Sequence, residues 1–171
     1  MLTILNNLGP FFEDCYNHIS VREYSRLTKI SPPWASKILK GYSKDGYLSQ
    51  KEERGHLLFS LNNANEEAVE LSRLYWKNRL KKFSALFTGK FISISGVLFG
   101  SLSKAEARGD SDVDIAVFAS EKKPIDISQI EASLKRKISI HWFKSLSDIK
   151  NEHLLNNIIN GVILFGKIKW K

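Results

Sequence analysis

The segment from Gly96 to Ala119, GVLFGSLSKAEARGDSDVDIAVFA, leaves few options for local structure. Gly96-Val97-Leu98-Phe99 is a short apolar run of the kind that forms a buried strand. It stops at Gly100-Ser101, where the backbone is permissive and carries no bulky side chain. After a spacer, Asp112-Val113-Asp114-Ile115-Ala116-Val117-Phe118 alternates carboxylate with apolar residue. Successive strand side chains point to opposite faces, so a strand here puts Asp112 and Asp114 on one face and Val113 and Ile115 on the other. Two neighbouring carboxylates repel each other. A hard divalent cation relieves that repulsion, and magnesium held by one or two carboxylates plus a ligand's phosphates is the usual arrangement. The pair therefore implies a phosphate-bearing ligand, and the Gly100-Ser101 turn offers main chain for it to approach.

These residues resemble the nucleotidyltransferases related to DNA polymerase beta, and within them the minimal, antitoxin-type branch. The match is a Gly-Ser turn (Gly100-Ser101), a spacer of ten residues from Leu102 to Ser111, then Asp-apolar-Asp-apolar at Asp112 to Ile115. The spacer is similar too, with Glu106-Ala107-Arg108 and Ser111-Asp112 where that branch commonly has Glu-Ala-Arg and Ser-Asp. The resemblance implies a nucleoside triphosphate substrate held at Gly100, Ser101, Lys104, Arg108 and Ser111. It further implies magnesium or manganese on Asp112 and Asp114, and a hydroxyl acceptor that attacks the alpha-phosphorus. For the minimal branch the acceptor is a partner toxin protein. One departure stands out: a third carboxylate commonly lies on the strand after the helix, and here Ile138-Ser139-Ile140-His141-Trp142 offers Ser139 or His141 instead.

An apolar content of 43% with no biased tract fits folded domains, and 171 residues suffice for two small ones. The formal charge of +8 favours a polyanionic partner. It does not locate a binding face, because residues 1–89 and 90–171 each carry 13 Lys or Arg against 9 Asp or Glu. The single cysteine, Cys15, can make no intramolecular disulfide and is read as a small buried hydrophobe. No apolar run is long enough to span a bilayer and no leader pattern opens the chain, so the expected location is the cytoplasm.

In residues 1–62, the opening apolar residues have helical spacing interrupted by Gly9-Pro10, which predicts one short helix or two pieces. Ser20-Val21-Arg22-Glu23 has capping-box spacing, and Val21, Tyr24, Leu27 and Ile30 would line one face of a short helix. Ser31 is available to cap a second helix over about 32–43, with Pro32 and Pro33 in its first turn. That helix turns Ile38, Leu39 and Tyr42 inward; Trp34 is read as packing. Leu48 and Leu57 to Leu61 would form a ribbon with its turn at Lys51 to Gly55. Helix, helix, ribbon resembles a winged helix-turn-helix domain. The resemblance implies a DNA face of Ser36, Lys37, Lys40, Ser43 and Lys44, with Lys51 and Arg54 on the wing, and leaves room for a homodimer.

Residues 63–89 read as one connecting helix, with acids early, bases late and Gly89 as its stop. Residues 90–171 read as strands at Phe91–Phe99, Asp112–Phe118, Ile138–Phe143 and Val162–Phe165. Between them lie a helix around Ile127 to Leu134 and another over about 147–160, ended by Gly161. The expected fold class is α+β: a winged helix-turn-helix, a connecting helix, and a nucleotidyltransferase-like mixed sheet with helices.

Overall fold

A computed structural model describes residues 2–168. It divides into two compact units, one of residues 1–75 with 105–109 and the other of residues 76–104 with 110–171.

The first unit opens with α1 (Leu2–Glu13), which runs unbroken through Gly9 and Pro10. Proline inside a helix loses one hydrogen bond and crowds the preceding turn. Here the complete burial of Leu8, Phe11 and Phe12 offsets that cost, and Gly9 leaves room for the Tyr75 ring, 3.2 Å from where a Cβ would stand. A two-residue strand unanticipated from the sequence, β1 (Ile19–Ser20), follows. Next come α2 (Val21–Thr28), α3 (Pro32–Lys44), β2 (Leu48–Glu53) and β3 (His56–Leu61). The strands form an antiparallel sheet in the order β1-β3-β2. Ser20 caps α2, its side chain accepting from the Glu23 amide at 3.2 Å. Ser31 occupies the cap position of α3 without a side-chain bond.

Two side chains expected to pack are exposed. Leu27 is 57% accessible, because three residues beyond the buried Tyr24 the helix has turned about 60° away from that residue's face. Trp34 is 51% accessible, with the Lys37 ammonium 5.2 Å from its ring centroid. The ribbon turn is tighter than expected. Lys51, Glu52 and Glu53 belong to β2, and the chain reverses at Arg54 and Gly55, whose φ values of 51° and 74° suit a two-residue hairpin.

The expected single connecting helix is two, α4 (Glu66–Arg79) and α5 (Lys81–Thr88). Leu80 leaves helical geometry (φ −92°, ψ 10°), while the amides of Leu80 and Ser84 still bond back to Trp76 and Leu80. The result is a one-residue kink, and the boundary between the units falls inside α4, between Tyr75 and Trp76.

The second unit is built on a four-stranded mixed sheet of β4 (Ile94–Phe99), β5 (Val113–Ala119), β6 (Ile138–Phe143) and β7 (Val162–Phe165). Its order is β6-β5-β4-β7, with β5 parallel to β6 and the other pairs antiparallel. Helix α6 (Ser128–Leu134) joins β5 to β6. The expected last helix is shorter, α7 (Glu152–Ile159), because Asn151 caps it through the Leu154 amide. A separate 3-10 turn at Leu146–Asp148 precedes it, closed by a reciprocal cap between Ser145 and Asp148. One face of the sheet buries Val97, Phe99, Ala116 and Phe118 with Leu146, Ile149 and Ile158. Gly96 admits the Phe165 ring against the backbone of β4, and any side chain at Gly96 would overlap it. Among the described residues no helix is long and apolar enough to cross a membrane.

Candidate active site

Strands β4 and β5 carry the sequence motif, and their register decides its geometry. Phe99 pairs with Asp114, so Gly100, one residue on, meets the carboxylate at the sheet end. Gly100 has φ +75°, and a Cβ built on it would lie 2.8 Å from Asp114 Oδ2. Only glycine combines that backbone conformation with that approach. Ser101 begins a 3-10 turn to Lys104, fixed where the Ser103 hydroxyl donates to the Gly100 carbonyl at 2.8 Å.

Asp112 precedes the strand and is exposed, whereas Asp114 has a side chain 33% accessible between the buried Val113 and Ile115. Burial pushes the Asp114 carboxyl above the usual aspartate range; the His141 imidazole pulls it back and the Asp112 charge adds to the push. His141 Nε2 stands 3.8 Å from Asp114 Oδ1, too far for a good hydrogen bond. Its ring lies edge-on to Phe99, centroids 5.3 Å apart. Parallel pairing sets Ser139 opposite Asp114 and His141 opposite Ala116, so both stand on β6 beside the carboxylate. Among the described residues no three His, Cys, Asp or Glu side chains form a group that could hold a metal.

The remaining residues of the motif have protein partners. Lys104 donates from Nζ to Asn157 Oδ1 at 2.8 Å. Arg108 belongs to the first unit, its guanidinium 4.8 Å from the Tyr16 ring centroid. In that unit Asp14 Oδ2 accepts from the Gly109 amide at 3.1 Å, and the Cys15 amide donates to the Ala107 carbonyl at 2.8 Å. Ser111 is held through its carbonyl, which accepts from Arg136 Nη1 at 2.5 Å.

Arg136 is the residue the sequence hid. It sits in the Lys135-Arg136-Lys137 run between α6 and β6, yet it is 7% exposed, with its guanidinium over the Trp76 indole at 5.2 Å. From there it fixes the main chain immediately before Asp112, while the Val113 amide donates to the Lys137 carbonyl at 2.9 Å. Both ends of this short segment tie the entry of β5 to the entry of β6.

In the first unit, α3 leaves Lys37, Lys40 and Lys44 exposed and Ser36 and Ser43 half-buried. Arg54 is exposed at the ribbon tip, and Lys51 pairs with Glu53 at 3.2 Å.

No curated protein matches the chain. The family described as polymerase beta, nucleotidyltransferase matches residues 82–169, which hold β4 to β7, the Gly100-Ser101 turn and both aspartates. The match takes in just over half of the sequence, and the protein belongs to the polymerase beta nucleotidyltransferase family.

Proposed function

We propose that the protein moves a nucleoside monophosphate, AMP by preference, from a nucleoside triphosphate to a hydroxyl on a partner protein of toxin type, and that its first unit binds DNA. The observation that carries the chemistry is the apposition of Asp114 to Gly100, where a half-buried carboxylate stands against backbone with no side chain in the way. The donor set fits magnesium or manganese, hard cations that take carboxylate oxygens, and burial with the Asp112 charge outweighs the opposing pull of His141 on the Asp114 carboxyl. Such an ion on Asp112 and Asp114 supplies charge neutralisation for the phosphates and for the departing pyrophosphate. Ser101 and the main chain beside Gly100 hold the terminal phosphates. The acceptor oxygen attacks the alpha-phosphorus, the bond from that phosphorus to its bridging oxygen breaks, and the hydroxyl proton passes to solvent.

The test is transfer of label from alpha-labelled ATP to an acceptor, with metal present or chelated. Asp112→Ala and Asp114→Ala should each reduce transfer about a thousandfold, the equivalent of several kcal/mol of transition-state stabilisation. Unchanged transfer in both variants would sink the reading.

DNA binding rests on α2 and α3, where Tyr24 to Lys44 contains five Lys or Arg and no Asp or Glu. The helix, helix, ribbon order resembles that of a winged helix, and dimerisation would pair two such units on adjacent half-sites. The cations suit phosphate contact, so affinity should fall steeply with salt.

A second reading is favoured by β6, where Ser139 and His141 stand beside Asp114 and no carboxylate does. On it the protein is a regulator that binds DNA and nucleotide with little or no transfer. Retained nucleotide with no pyrophosphate release, alongside salt-sensitive DNA binding, selects it.

A further inference from the structure

The aspartates occupy one end of the four-stranded sheet; a cavity of about 740 Å³ opens at the other. The register fixes the separation. Phe99 pairs with Asp114 at the active-site end and Ile94 with Ala119 at the cavity end, five residues or about 17 Å along the strand. The lining includes the apolar Phe118 and Leu146 and several serines, among them Ser95, which pairs with Phe118 and shares its face of the sheet. Lys144 follows β6 and Lys167 follows β7, and these are the two edge strands. Two cationic residues therefore stand beside the opening at opposite edges of the sheet, and among the described residues no acidic one lines it. Among the described residues neither lysine has a carboxylate partner. Asp148, close in sequence, is committed to the amides of Lys144 and Ser145 at 2.9 and 3.0 Å.

We propose that this cavity is a second binding site, separate from the aspartate pair, for a small organic anion with an apolar body. The volume lies within the range of small-molecule sites, and the mixture of an apolar wall with a few polar groups is what such sites use. The apolar wall takes the body by burial. A lysine at either edge takes the charged group as a charge-assisted hydrogen-bond donor. A carboxylate or a phosphate ester would meet the same lysines and serines, so both share the site's chemistry.

Anilinonaphthalene sulfonate, an aromatic anion, is the probe, titrated by fluorescence into the full chain without metal. The expected result is saturable binding, weakened about tenfold in the Lys144→Glu, Lys167→Glu double variant, as loss of two exposed charge contacts implies. ATP binding with magnesium should be unchanged in that variant, since both lysines are exposed and lie at the far end of the sheet. Competition with octanoate and with phenyl phosphate then tells an acyl carboxylate from an aromatic phosphate. Equal probe binding by wild type and double variant, or displacement by neither competitor, would overturn the proposal. Loss of probe binding in Asp114→Ala would overturn it too, by placing the probe in the nucleotide site.

Discussion

Two pairs of charged residues, one in each unit, share the same spacing and have opposite consequences. On β2, Lys51 and Glu53 lie two residues apart and meet at 3.2 Å, with side chains 48% and 54% accessible. Opposite signs cancel, water screens the rest, and such a pair contributes about 0–1 kcal/mol. At the entry of β5, Asp112 and Asp114 are also two residues apart, but their signs are alike and Asp114 is half-buried. The first pair is complete by itself. The second is an unfinished electrostatic arrangement: its neighbour on β6 is the His141 imidazole, 3.8 Å from Asp114. A half-buried carboxylate with a second one two residues away gains from a counter-charge supplied by a ligand.

The comparison breaks most completely if the second pair is rebuilt as the first. Asp112→Lys would place an ammonium beside Asp114, and because residue 112 is exposed the fold should tolerate it. The expected outcome is a metal-free protein at least as stable as wild type in thermal unfolding, with transfer down about a thousandfold. A variant both stable and active would mean that the pair's shared sign has no function.

The next largest effect concerns the scaffold. Arg136→Met removes the donor to the Ser111 carbonyl and leaves that oxygen without it. A bond to a charged group is worth about 1.5–3 kcal/mol, read as a lower midpoint in urea unfolding. Arg136→Lys keeps the charge but not the broad guanidinium placed over Trp76, so it should recover only part of the loss.

Arg136 also shows where the sequence stops being legible. The strands were readable because their signal is local: apolar runs at Val97 to Phe99 and Val162 to Phe165, and alternation at Asp112 to Ile115 and Ile138 to Trp142. The Gly100-Ser101 turn and the aspartates were readable for the same reason, and the structure sets Gly100 against Asp114. What was missed depends on partners distant in the chain. Arg136 looks like a surface cation until Trp76, sixty residues earlier, supplies its stacking face. Gly9-Pro10 looks like a break until Tyr75 fills the space beside it. The kink at Leu80 is invisible because apolar spacing continues through it, and β1 is too short to show a period. Trp34 failed in the other direction, since an aromatic residue at a helix start reads as core whether or not anything covers it.

Gly100→Ala sharpens the comparison at the turn. A non-glycine residue at φ +75° costs about 1–2 kcal/mol, and the new methyl would stand 2.8 Å from Asp114 Oδ2. The carboxylate has to move, so metal affinity measured by calorimetry should fall more than stability does. The matched control is Gly55→Ala at the ribbon tip, where φ is +74° and no atom lies within 4 Å of the added Cβ. It should show the backbone cost alone.

The smallest effect is the pH dependence of the pair itself. The Asp114 carboxyl is raised in the folded state, chiefly by burial. A raised acid stabilises the fold below its unfolded pKa, and that contribution is lost as pH rises through the folded value. At neutral pH the ionised Asp114 is therefore a liability to the metal-free protein, and Asp114→Asn should raise Tm on the order of 1 °C. The advantage should vanish as pH falls below the ordinary aspartate value of about 3.9, where wild type is protonated as well. Added magnesium should reverse the order at neutral pH, because only the carboxylate gains from it. Glu53→Gln on the ribbon should show neither the gain nor the reversal, since Lys51 already neutralises that charge.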